Sequence, residues 1–115
     1  MRRDRLLFSD ILHSIDFILK NIEGVKKEEF IQDELLRSSL FFHLIIIGEA
    51  TSKISQDIKM AYPHTDWRDI VDFRNFMVHK YFGYDYDTIW STMINDLPEY
   101  RDDIERIIMN EKENI

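Results

Sequence analysis

The segment Arg74-Asn75-Phe76-Met77-Val78-His79-Lys80-Tyr81 places a guanidinium, an amide, an imidazole and a phenol close together in the chain. A guanidinium stays charged at physiological pH, and its planar fork suits phosphate oxygens. An imidazole titrates near pH ~6.5, so His79 can take up or release a proton. The amide of Asn75 can orient either the imidazole or a phosphate. Together Arg74, Asn75 and His79 are candidates for proton transfer at a phosphate group. On a regular helix, however, residues five apart stand about 140° apart around the axis. Either the helix ends between Arg74 and His79, just after Val78, or each residue meets its counterpart in another subunit. Short spacings of this kind recur by chance. The residue types alone are equally served by an arginine in a surface ion pair and a histidine at a helix C-terminus, where its charged form suits the dipole.

Other candidate groups carry less. Glu49 lies among apolar neighbours and either pairs with an arginine of the motif helix, setting the position of its guanidinium, or faces solvent. His43 sits in the apolar run Leu40–Gly48 and reads as a hydrogen-bonded core or interface histidine. Asp10 and His13 share a helix face, but a metal site in a bundle needs matching ligands from other helices. No metal or other cofactor is expected. Trp67 and Trp90 read as core anchors rather than base-stacking platforms. Cysteine is absent, which excludes disulfides, thiolate metal sites and a cysteine nucleophile. No phosphate-cradling glycine loop or serine elbow is present.

These groups must be positioned by helices. Three glycines and two prolines in 115 residues leave few breakers. Leu7, Ile11, Ile15 and Ile18 recur at helical spacing and predict a first helix from about Arg3 to Ile22, capped by a left-handed Gly24. Leu36, Leu40, Leu44, Ile47, Ile54 and Ile58 predict one long second helix from about Lys27 to Ala61. Its Leu40–Ile47 run is apolar nearly all round, so it is buried on several faces, one of which could be a dimer seam. The β-branched Ile45–Ile47 could also form a strand, but no second strand exists to pair with it. Pro63 ends this element. Asp66 is placed to cap a third helix over about Asp66–Val78, with Trp67, Ile70, Val71, Phe73 and Met77 inward. A fourth runs from about Asp85 to Asn110 on Ile89, Met93, Leu97, Ile104 and Ile108, with a kink or restart at Pro98. The expected fold is all-α: one domain over residues 1–115, an antiparallel bundle of four to five helices.

Composition agrees. Hydrophobic residues make up 44% and charged residues 32%, as in a folded globular domain. Asp10, His13 and Asp16 interrupt the first apolar stretch, and the Leu40–Gly48 run is far short of the ~20 residues a bilayer needs. Neither a signal peptide nor a membrane span is expected, and a reducing cytoplasm is the natural location. The net charge of −7 argues against a broad nucleic-acid platform. Residues 53–80 carry five positive and four negative charges, whereas residues 96–115 carry three and seven. That acidic end is either a solvated face or a docking surface for a basic partner.

The stretch Asp66–Phe82 closely resembles the HepT-like family of the HEPN superfamily, with its Arg-x4-6-His-x-Tyr pattern falling on Arg74, His79 and Tyr81. Ile46-Ile47-Gly48-Glu49-Ala50, Pro63 before Trp67-Arg68, Asp87–Trp90 and Asp96-Leu97-Pro98-Glu99 are similar to further segments of that family, so the likeness covers nearly the whole chain. It implies an all-helical homodimer, a metal-independent endoribonuclease acting as the toxin of a toxin–antitoxin pair. Its implied partner is a minimal nucleotidyltransferase that neutralises the toxin and can transfer AMP to the motif tyrosine, here Tyr81. That phenol also has a structural reading, packing with Phe82 and Tyr84. With RNA as substrate, Arg74, Asn75 and His79 become the catalytic set. One imidazole cannot be base and acid at once, which is a physical reason for two copies to share a site. The alternative is a non-catalytic helical module that only binds the nucleotidyltransferase.

Overall fold

The computed structural model describes residues 2–79 and 85–115, giving only the backbone of Arg2 and His79. Six α-helices precede a final one: α1 (Arg2–Ile22), α2 (Lys27–Gln32), α3 (Glu34–Lys53), α4 (Gln56–Ala61), α5 (Trp67–His79), α6 (Tyr86–Ser91) and α7 (Leu97–Asn110). A π turn over Thr92–Asp96 joins α6 to α7 without a break. The bundle therefore has four long rods, α1, α3, α5 and α6–α7, with α2 and α4 as short spacers. No strand occurs among the described residues, and Ile45–Ile47 lie inside α3.

The core follows the apolar spacing. Ile11, Ile15 and Ile18 of α1 are fully buried, as are Leu40 of α3, Met77 of α5 and Ile89, Met93 and Ile104 of α6–α7. Two positions shift by one residue. Phe8 rather than Leu7 fills the core from α1, and Ile107 rather than Ile108 does so from α7. Gly24 takes a φ of +73°, as the expected left-handed cap after α1. Trp67 is buried and donates its indole N–H to the Tyr62 carbonyl at 2.9 Å, and Trp90 packs 5.3 Å from the Phe30 ring.

The single helix expected over Lys27–Ala61 is three. At the first break Asp33 leaves helical geometry, and its carboxylate accepts from the Leu36 N–H at 3.0 Å. At the second, the backbone N–H and Oγ of Ser55 donate to the buried Asp4 carboxylate at 2.9 and 2.7 Å. Ser55 Oγ in turn accepts from the Ile58 N–H, so the serine caps α4 while tied to α1. At Pro98 there is neither a kink nor a restart. Proline lacks an N–H and its ring would meet the carbonyl of the preceding turn. The π turn widens the helix ahead of it, so that Leu97 N–H reaches back to the Thr92 carbonyl. α1 runs antiparallel to α7, as the Arg101–Asp16 ion pair and the contact of Arg5 with the Ile115 carbonyl show.

Candidate active site

α5 carries Arg74 against α3 at the tightest approach between the two helices. A Cβ on Gly48 would overlap Arg74 Cβ, lie 2.5 Å from its Cγ and 3.4 Å from its Cα. Only a residue without a side chain lets the two backbones come this near. Beside that contact Arg74 Nη1 donates to Glu49 Oε1 in an ion pair. The arginine side chain is 17% exposed and the glutamate 47%. Arg74 Nε is buried with no hydrogen-bond partner. An orphaned donor beside a partly exposed guanidinium is unusual in a folded chain. The first of the two readings of Glu49 is therefore the one observed: it pairs with the motif arginine.

Asn75, the next residue on α5, is exposed. His79 is the last residue of the helix, so α5 does not end at Val78. The backbone therefore keeps Arg74 and His79 about 140° apart around the axis and about 7.5 Å apart along it. Of the two explanations for that spacing, an early helix end is overturned; the meeting of counterparts across subunits is what stands. Tyr81, and with it the modification reading, lies outside the described residues. No three His, Asp or Glu side chains converge as metal ligands among the described residues.

The electrostatics are restrained. Glu49 offsets the charge of Arg74, and Arg68 pairs loosely with Asp72 at 4.0 Å on the exposed side of α5. Along α5 and α7 a cavity of about 310 Å³ is lined by Asp66, Asp69, Asp96, Glu99 and Asp103 with the Tyr100 ring. Tyr100 shares a 2.7 Å hydrogen bond with Thr51, and burial pushes its phenol far above the ordinary range. His43 is held by Ser14 Oγ at 2.9 Å and is a hydrogen-bonded, half-buried histidine, as its apolar setting suggests. Sequence reasoning missed the role of Gly48. A glycine inside an apolar helix costs about 1 kcal/mol relative to alanine, so its presence there was itself a sign of close backbone approach.

With this geometry established, comparison with known proteins is informative. The ribonuclease HepT-like family pattern matches residues 11–107. The chain belongs to that ribonuclease HepT-like family. Its match includes α3, α5 and the Gly48, Glu49, Arg74, Asn75 and His79 positions. Among curated relatives, "Putative RNase MJ1216" of Methanocaldococcus jannaschii is 36% identical over 99 residues, covering 86% of this chain and 82% of the relative. "Probable ribonuclease HepT" of Thermococcus cleftensis is 31% identical over 98 residues, covering 85% and 89%. No solved structure gives a significant match. None of the described helices of this HepT-like chain is long and apolar enough to cross a membrane.

Proposed function

We propose that this HepT-like protein is a metal-independent endoribonuclease that works as a homodimer in the cytoplasm, with Arg74, Asn75 and His79 as its catalytic set. The observation that carries this reading is the anchoring of Arg74, which family membership places in a ribonuclease motif, against Gly48 and Glu49. A charged fork fixed by packing and by a carboxylate is pre-organised for a phosphate.

The chemistry follows from the groups. The ribose 2′-oxygen attacks the adjacent phosphorus while an imidazole takes its proton. The bond from phosphorus to the 5′-oxygen breaks, and a second imidazole, protonated, gives that oxygen its proton. The products are a 2′,3′-cyclic phosphate and a 5′-hydroxyl. Arg74 stabilises the charge that builds on the phosphorane, and Asn75 orients phosphate or imidazole. Two imidazoles are required in one turnover, and a twofold pair of chains supplies them. The same resemblance supports the toxin role, with a minimal nucleotidyltransferase as antitoxin and Tyr81 as the tyrosine that accepts AMP. An AMP there would add negative charge where RNA phosphate must sit.

The test is cleavage of RNA in EDTA by the purified protein. Fragments ending in cyclic phosphate are expected from wild type and are lost in His79→Ala and in Arg74→Ala, with helical content and oligomeric state retained. Undiminished cleavage by either variant refutes the assigned roles. A second reading, a non-catalytic module for the nucleotidyltransferase, is favoured by the net charge of −7 and by the carboxylates along α5 and α7. Tight binding of that partner by a protein that leaves every RNA intact would establish it instead.

A further inference from the structure

A second cluster of reactive and aromatic groups lies between α1 and α3, and the cleavage chemistry does not use it. Asp10, His13 and Ser14 of α1 and Phe42, His43 and Ile46 of α3 line an open pocket of about 400 Å³. Phe42 is 61% exposed although it is among the largest apolar side chains of α3. It is not loose. His43 meets it edge-on at 5.3 Å and 81°, while Phe17 stacks on the same imidazole at 4.0 Å and Ser14 holds its Nδ1. The His13 ring stands 6.2 Å from that of His43, and Asp10 lies one turn before it on α1.

Phe42 and Glu49 are seven residues apart on α3, hence within about 20° of one another around the helix and about 10 Å apart along it. Glu49 holds Arg74, so the Phe42 pocket and the phosphate-directed arginine open along one face, a nucleotide or so apart. An open aromatic face beside polar edge groups is how proteins hold unpaired bases. Asp10 accepts from an exocyclic amine, while the imidazole of His13 donates or accepts. The lining argues against a seam between copies of this chain, because four of the six residues are polar or charged and subunit seams are depleted of charge at their centre.

We propose that this α1–α3 pocket is a subsite for one unpaired nucleobase of the RNA, stacked on Phe42 and contacted at its edge by His13 and Asp10. The inference rests on the ribonuclease reading and adds to it a source of sequence preference around the cut. Phosphate attraction is weak in so acidic a chain, so base stacking supplies binding that charge does not.

The test pairs protein variants with abasic RNA. Fluorescence anisotropy of 2′-O-methyl oligonucleotides, which cannot be cleaved, is measured for wild type, Phe42→Leu and Phe42→Tyr. Each is also run with an abasic nucleotide stepped along the strand. Phe42→Leu is expected to weaken binding on the order of tenfold or more, Phe42→Tyr to retain it, and one abasic position to abolish the difference between Leu and Phe. Equal losses from every abasic position in wild type and Phe42→Leu overturn the proposal. So does a change of oligomeric state in Phe42→Leu, which would make the ring a seam residue. Cleavage of the all-ribose strand by wild type, run in parallel, separates the two levels. Its absence overturns the ribonuclease reading, and its presence without the abasic coupling overturns the base pocket alone.

Discussion

Replacing Gly48 by alanine sets helix propensity against packing at the point where α3 meets α5. Alanine favours a helix interior by about 1 kcal/mol over glycine. Against this, the new methyl would overlap Arg74 Cβ and sit 2.5 Å from Cγ, where carbon atoms at ease keep about 3.5–4.0 Å. The contacts are the root of the side chain, not its flexible end, so a change of rotamer cannot relieve them and the helices must part by about 1 Å. Overpacking of this sort costs about 1–3 kcal/mol, which leaves a net loss of up to about 2 kcal/mol. The larger effect falls on activity. A displacement near 1 Å at a reacting group can cost about a hundredfold in rate. Urea denaturation and single-turnover cleavage measure the two quantities on the same preparation. Gly24→Ala serves as the comparison, since its Cβ meets nothing within 4 Å and only its positive φ is strained. It should lose about 1 kcal/mol of stability and no rate. A Gly48→Ala protein as stable as wild type and equally fast would refute the account of Arg74 as an arginine held by this helix crossing.

Tyr100→Phe should destabilise the fold by about 1–2 kcal/mol, because it leaves the fully buried Thr51 hydroxyl without its partner. Adding Thr51→Val should recover most of that loss in the same urea titration, whereas additive losses would deny the pair. His43 has its pKa pushed below the ordinary histidine value, first by burial and then by the neighbouring charge of His13. The unfolded chain therefore binds this proton more readily than the folded one. Stability is fully present above about pH 6.5 and falls as the pH drops through that value toward the depressed one. His43→Gln, which keeps a partner for Ser14, should flatten the fall in melting temperature between pH 7 and pH 5. An unchanged slope would place the acid sensitivity elsewhere.

The rods were legible because burial in a bundle repeats at helical spacing. Ile11, Ile15 and Ile18, or Ile89, Met93 and Ile104, declare their inward faces without any knowledge of a neighbour. What could not be read was set by contacts distant in the chain. The break before α4 depends on Asp4 reaching Ser55, and nothing near Ser55 signals that an aspartate of α1 will take its N–H. The motif residues were found by type and order, as was the possible pairing of Glu49. Their arrangement was not, because Gly48 acts through what it lacks. The helix end was misplaced for a related reason: Gly83 lies beyond His79, and one breaker downstream does not fix which residue is last in a helix.

The π turn over Thr92–Asp96 makes the last rod depend on an exact residue count. Its surplus residue lets Ile89 and Ile104, on either side of it, both sink into the same interior while Pro98 is accommodated between them. Loss of a single residue from that loop of helix would turn the two halves by about 100° relative to one another. One half would carry its oily side into water. Substitutions along this rod are thus far easier for lineages to accumulate than insertions or deletions, and length here is a more conservative trait than composition.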